Sequence, residues 1–159
     1  KSKNGGRMAF ITLDDQSGRL EVRVFADVYD QYQSFIQPDK LVVIQGKIGQ
    51  DNFTGGLAAT AEKVFDITGA REAFGHSLQI NIDNKDKVSQ WIEQMKNTLT
   101  PFKGGALSLE LLYQNEQAST VIMLGDDWQV TPSDTLMSQL AMLPESQNVT
   151  VRYRATMTN

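Results

Sequence analysis

The chain has 159 residues, 40% apolar content and a formal net charge of −4, which allow one globular domain or two small ones. The absence of cysteine excludes disulfides and thiolate metal sites and favours a reducing, cytoplasmic setting. No apolar run approaches the roughly 20 residues of a membrane span, so no membrane partner is expected, and the acidic balance argues against strong nonspecific binding to duplex DNA.

The first predicted element is a β-hairpin across residues 8–25. Apolar residues recur at every second position in each half, which is typical of half-buried strands. The joining segment 14–18, DDQSG, has the polar and glycine residues of a tight turn. The other face carries aromatic and arginine side chains, which is what a surface for single-stranded nucleic acid needs, and an ordinary solvated sheet surface is the alternative. The predicted inward residues are Ala9, Ile11, Leu13, Leu20, Val22 and Val24, and the outward ones are Met8, Phe10, Thr12, Arg19, Glu21, Arg23 and Phe25.

A helix and two further strands follow the hairpin. The sequence predicts a helix over 27–36 with Asp27 as its cap, a strand over 41–48, a glycine-rich loop over 49–56 and a strand over 57–65. This order predicts an all-β OB-fold barrel over residues 1–66 that lacks its first strand, or has it reduced to the residues before Arg7. Since the first residue is also not Met, we expect a piece of a longer polypeptide.

The second half of the chain has a different pattern. We expect a helical linker over 67–76, followed by a C-terminal α+β domain over 77–159 of β-α-β-β-α-β order, in the split βαβ, ferredoxin-like arrangement. The predicted strands are 78–82, 107–113, 121–130 and 149–153, and the predicted helices run from the cap Asp83 to 99, ended by 100–105, and from the cap Thr131 to Pro144.

Residues typical of catalysis are scarce. The one histidine, His76, lies in the predicted linker, and its position favours an ordinary surface residue. The pairs Asp14–Asp15 and Asp126–Asp127 leave open a magnesium-dependent enzyme, because paired carboxylates can hold Mg²⁺, but turn formation explains both pairs more simply. We therefore expect a non-catalytic segment that binds other molecules and carries no metal or cofactor.

Four segments together form a recognisable signature. They are KNGGRMAFITLDDQSGRLEVRVF at 3–25, FTGGL at 53–57, AEKVFDITGAR at 61–71 and WQVTPSD at 128–134. They closely resemble the C-terminal region of the bacterial DNA polymerase III alpha subunit family. The OB signature alone is shared with anticodon domains of class II aminoacyl-tRNA synthetases, whereas the later segments are similar to the polymerase family.

The resemblance implies a role in DNA replication. It implies an OB domain that contacts single-stranded template DNA and a C-terminal domain that binds the tau subunit of the clamp loader. In this family the nucleotidyltransferase centre with its Mg²⁺ lies in an upstream palm domain, so this fragment is not expected to be an enzyme. Two alternatives stay open, namely an RNA-binding OB module of the synthetase type and a purely structural or interaction domain.

The candidate site residues fall into two groups. In the OB half, aromatic rings would stack on bases and cations would contact phosphates; core packing of the rings and cross-strand ion pairing of the arginines are the alternatives. In the second half, an interface role for Trp128 stands beside core packing, which its position before a helix cap favours, and the strand 149–153 offers an edge to partner backbone. The nucleic-acid candidates are Arg7, Phe10, Arg19, Arg23, Phe25, Lys47 and Phe53, and the partner-binding candidates are Trp128, Met137, Met142 and Tyr153.

Overall fold

The computed structural model describes residues 8–50, 55–82, 88–114, 118–144 and 146–154. The chain divides into two compact units, residues 1–67 and 68–159. Within the described ranges, no helix is long and apolar enough to cross a membrane.

The N-terminal unit is an OB-fold built on a four-stranded sheet of order β1-β2-β4-β3. The β1–β2 and β3–β4 pairs are antiparallel, and β2 pairs with β4 in parallel. The expected first OB strand falls before Met8 and so lies outside the described residues. The elements are β1 (Ala9–Asp14), β2 (Arg19–Val24), α1 (Ala26–Tyr32), β3 (Val43–Gln50) and β4 (Leu57–Phe65).

The hairpin alternation predicted from the sequence sets the core of this unit. The inward side chains of β1 and β2 pack together with those of β4, while the outward side chains remain at least partly accessible. Because side chains of a strand alternate between its two faces, burying one set fixes the other on the outer surface. The buried residues are Val22, Val24, Ala59, Ala61 and Val64.

Two boundaries of the N-terminal unit differ from the prediction. Helix α1 is shorter than 27–36, and Asp27 lies in its first turn, because Phe25 occupies the N-cap position without a side-chain hydrogen bond. Strand β3 begins at Val43 and has an irregular register at Gln45/Gly46. Gly46 is required there, since a Cβ at this position would clash with the Thr60 carbonyl oxygen.

The C-terminal unit has the predicted β-α-β-β-α-β order, with an added N-terminal helix α2. Its sheet has the order β7-β6-β5-β8, in which β5 and β6 are parallel neighbours. The prediction of a split βαβ arrangement is therefore wrong, because no strand lies between these two parallel strands. The elements are α2 (Ile67–Phe74), β5 (Gly75–Ile82), α3 (Val88–Leu99), β6 (Lys103–Gln114), β7 (Ser119–Met123), α4 (Asp134–Ala141) and β8 (Ser146–Tyr153).

Helices α3 and α4 cover one face of this sheet. Their apolar stripes and the alternating residues of the strands make one core, which excludes water from large aliphatic side chains. The buried residues are Leu78, Ile80, Ile82, Trp91, Met95, Leu99, Leu107, Leu109, Leu111, Val130, Leu136, Leu140 and Val151.

Three local predictions for this unit are corrected. The N-cap of α4 is Ser133 and not Thr131, because the Ser133 hydroxyl accepts a hydrogen bond from the Leu136 N–H at 3.2 Å. Residues 103–105 begin strand β6 instead of ending a helix, and Gly105 gives the Val130 backbone room to approach. Strand β7 ends at Met123, and a 3₁₀ turn at Asp126–Trp128 follows it. The cap Asp83 lies outside the described residues.

Candidate nucleic-acid interface

Four side chains lie in register across the outer face of the N-terminal sheet. Phe10 of β1 is the cross-strand partner of Arg23 in β2, and Arg23 is the partner of Thr60 in β4. Thr60 is in turn the partner of Lys47 in β3. Since cross-strand partners point to the same face of a sheet, these residues form one row, here called the cross-sheet row. The row brings together three residues that were predicted separately.

The two candidate rings of this face are accessible. Phe10 is 58% exposed and Phe25 is 49% exposed, so core packing does not account for either ring. Phe25 keeps extended backbone two residues after Arg23, which places it on the same side of the chain. Diagonal neighbours on an antiparallel pair are in general about 7–8 Å apart between Cα atoms, and long or aromatic side chains span that distance. The face therefore offers two neighbouring stacking surfaces.

The cations of this face have acidic neighbours. The Arg19 Nε lies 2.9 Å from the Asp14 Oδ2, and the Lys47 Nζ lies 2.6 Å from the Glu62 Oε1. Glu62 raises the pKa of Lys47, so the ammonium stays charged. Exposed ion pairs of this kind contribute about 0–1 kcal/mol, and a phosphate can compete with the carboxylates. Arg23 is half-buried in the middle of the row.

The two carboxylates of the hairpin turn stabilise the turn by accepting hydrogen bonds from its own backbone. The Asp15 carboxylate accepts hydrogen bonds from the Ser17 and Gly18 N–H groups, each at 3.0 Å, and from the Ser17 hydroxyl. The Asp14 carboxylate accepts from the Gln16 N–H at 2.9 Å. The Gln16 N–H and then Arg19 lower the pKa of Asp14 from the usual value of 3.8. The Ser17 hydroxyl and the Ser17 and Gly18 N–H groups lower the pKa of Asp15 in the same way. Among the residues that the structure describes, no group of three or more His, Asp or Glu side chains could hold a metal ion.

The partner-binding candidates of the second unit divide into two kinds. Trp128 and Met137 are half-buried and pack against the core, and the Lys103 Nζ lies 4.1 Å from the centre of the Trp128 ring. Met142 is 82% exposed and Tyr153 is 55% exposed, so only these two present most of their surface. Tyr153 ends β8, which is an edge of the sheet.

Sequence reasoning missed two members of this face. Thr60 completes the cross-sheet row and Glu62 pairs with Lys47, and both lie on the outward side of β4. The alternation of Ala59 and Ala61 with these polar residues could have predicted their outward positions. Alanine is a weak indicator of a buried face, however, because its side chain is small. The candidates Arg7 and Phe53 lie outside the described residues.

Comparison with known proteins agrees with this architecture. Residues 1–88 match the family described as OB-fold nucleic acid binding domain, and residues 94–143 match the DNA polymerase III subunit alpha, C-terminal domain. The chain is 36% identical over 152 residues to the DNA polymerase III subunit alpha of Escherichia coli (strain K12), which covers 96% of this chain and 13% of that protein. The corresponding protein of Vibrio cholerae is also 36% identical over 96% of this chain and 13% of its own length. That of Pseudomonas fluorescens is 33% identical over 97% of this chain and 13% of its own length. The chain thus spans about 13% of the length of these relatives.

Proposed function

This chain belongs to the DNA polymerase III alpha subunit family, of which it represents the C-terminal region with its OB-fold, and we propose that the OB unit binds single-stranded template DNA. The observation that carries the proposal is the cross-sheet row, in which an exposed ring, an arginine and a lysine lie on one outer face. In OB-folds the outer face of the second and third strands is the usual oligonucleotide surface, and β1 and β2 are the hairpin in that position.

The chemistry of binding divides between the rings and the cations. Phe10 and Phe25 stack on bases, while Arg23 and Lys47 contact phosphates, with Arg19 at the end of the hairpin. Base stacking on an aromatic ring is worth about 1–3 kcal/mol per base and tolerates any sequence. Because the chain carries a net charge of −4, and two of these cations already have acidic neighbours, we expect weak, salt-sensitive binding.

Fluorescence anisotropy with labelled oligo-dT tests this proposal. The affinity is expected to fall with salt, with a logarithmic slope of about −0.7 for each phosphate contacted. Oligo-rU serves as the matched RNA probe, and tighter binding of oligo-rU would favour the RNA-binding alternative. Absence of oligo-dT binding at low salt would contradict the proposal and favour a purely structural OB unit.

Glu62→Gln is expected to strengthen oligo-dT binding. The change removes the carboxylate that lies 2.6 Å from the Lys47 ammonium and also removes its repulsion of the DNA backbone. From the strength of an exposed ion pair, the gain is up to about fivefold in affinity. Glu93→Gln is the control, because it makes the same change of charge at the Lys96 pair in the other unit. Equal affinity gains in the two variants would rule out a local role for Lys47.

We also propose that the C-terminal unit attaches the polymerase to the tau subunit of the clamp loader, in cytoplasmic DNA replication. The family match over 94–143 and the exposure of Met142 and Tyr153 support this assignment. Large exposed apolar side chains rimmed by polar residues are typical of protein interfaces.

Surface substitutions test the tau proposal better than truncation. A deletion beyond Gly125 would remove Val130, Leu136 and Leu140 from the core, so loss of binding would be ambiguous. Met142→Asp is expected to weaken capture by purified tau, whereas Asn97→Asp on α3 is the matched control. Unchanged capture by both Met142→Asp and Tyr153→Asp would contradict the placement of the tau surface.

A further inference from the structure

The outer edge of β7 is an unprotected sheet edge. β7 pairs with β6 on one side and, among the described residues, has no strand on the other. All five of its residues are exposed, including Val121 and Ile122 at 48% each and Met123 at 56%. Three consecutive apolar residues expose apolar surface on both faces of the strand. An edge of this kind is a template for pairing with another chain.

The direction of the free backbone groups follows from one hydrogen bond. The Leu124 N–H donates to the Leu109 carbonyl at 2.9 Å, and the same register pairs Leu111 with Ile122. In an antiparallel ladder, hydrogen-bonded pairs alternate with non-hydrogen-bonded pairs. The backbone N–H and C=O groups of Ile122 and Leu124 therefore point toward β6. The groups of Ser119, Val121 and Met123 point away from β6, toward the open edge.

β7 lacks the protection that the other sheet edges carry. Natural edge strands commonly avoid pairing with other chains by carrying charged side chains or proline. Asp14 stands in β1, Lys47 in β3 and Arg152 in β8, each an edge strand of its sheet. The sequence of β7, STVIM, has neither a charge nor a proline.

We propose that this edge binds an extended segment of another protein, which adds a fifth strand antiparallel to β7. The segment has apolar residues at alternating positions and lysine or arginine at its N-terminal end. Asp126 and Asp127 are exposed just beyond the C-terminal end of β7. Because the added strand is antiparallel, its N-terminal end lies beside these carboxylates, and a cation there would pair with them. A second copy of this chain fits less well, because its residues 118–123 offer no cation to these carboxylates. The proposal stands whether or not the N-terminal unit binds DNA.

A synthetic peptide tests the edge directly. The probe is a capped peptide in which two lysines precede alternating valine and threonine, titrated into the isotope-labelled chain and followed by amide NMR and hydrogen exchange. We expect saturable shifts and new exchange protection at Ser119, Val121 and Met123. A peptide with the lysines moved to its C-terminal end is expected to bind more weakly, and one with proline at alternate positions is expected not to bind.

One pair of variants distinguishes backbone pairing from nonspecific hydrophobic binding of the peptide. Val121→Pro removes an outward N–H and leaves the β6 ladder intact, so it is expected to abolish the peptide response. Val121→Thr keeps that N–H and the β-branched shape, and is expected to retain most of the response. The amide signals of Thr120 and Ile122 report whether β7 still pairs with β6. No saturable response, an equal response in Val121→Pro, or shifts centred on β8 would each overturn the proposal, and equal binding of the reversed peptide would overturn the role of Asp126 and Asp127.

Discussion

Leu109→Ala is expected to lower the free energy of unfolding of the C-terminal unit by about 2–5 kcal/mol, the range for deleting a fully buried leucine side chain. Leu109 has no exposed surface and lies in β6, between the neighbouring strands β5 and β7 and beneath the helices. The change removes apolar contacts and leaves a cavity that the surrounding side chains fill only in part. It therefore tests whether α3, α4 and the sheet share one core.

Urea unfolding followed by tryptophan fluorescence measures this loss. Both tryptophans of the chain, Trp91 and Trp128, lie in the C-terminal unit, so the signal does not report on the OB unit. Met142→Ala is the control, because an 82% exposed side chain contributes little, and its effect is expected to stay within about 0.5 kcal/mol. A loss below about 1 kcal/mol in Leu109→Ala would contradict the packing described for β6.

Phe10→Ala is expected to weaken oligo-dT binding about 5- to 150-fold, which corresponds to the loss of one stacked base. The exposed ring holds no place in the core, so the variant should fold normally. Arg23→Ala, at the adjacent position in the row, is expected to weaken binding and to reduce its salt dependence, because a phosphate contact is lost. Arg19→Ala is expected to weaken binding only modestly, since Asp14 competes with the phosphate for that guanidinium.

The matched control for the stacking role is another partly exposed ring of the same unit. Phe35 follows α1 and stacks against Tyr32, which packs against the core of this unit, with 6.5 Å between ring centroids. Phe35→Ala is expected to leave the oligo-dT affinity unchanged. If Phe10→Ala and Phe35→Ala weaken binding equally, apolar surface in general, and not the cross-sheet row, carries the affinity.

The hairpin was predictable because its information is local. Alternation of Ala9, Ile11 and Leu13 fixes which face is buried, and the Asp14–Gly18 turn fixes the register of the two strands. The outward positions of Phe10 and Arg23 follow from that register. The meeting of Arg23 with Thr60 and Lys47 depends on the parallel pairing of β2 with β4, for which no short segment of the sequence carries a signal.

The same distinction explains the errors in the second unit. The order of elements follows from apolar periodicity, whereas the adjacency of β5 and β6 follows from how the whole sheet assembles. Thr131 and Ser133 are both good capping residues, and only the observed hydrogen bond to Leu136 selects Ser133. The glycines at 104–105 suit the end of a helix as well as the start of a strand. The close approach of the Val130 backbone to Gly105 shows that they belong to strand β6.

The most direct test of the central proposal is the map of backbone amide shifts when oligo-dT is titrated into the isotope-labelled chain at low salt. The proposal predicts saturable shifts concentrated at Phe10, Arg23, Thr60 and Lys47, across the row and along the adjoining hairpin. Shifts confined to the C-terminal unit, or to the inward residues of the OB sheet, would contradict a DNA-binding role for this face.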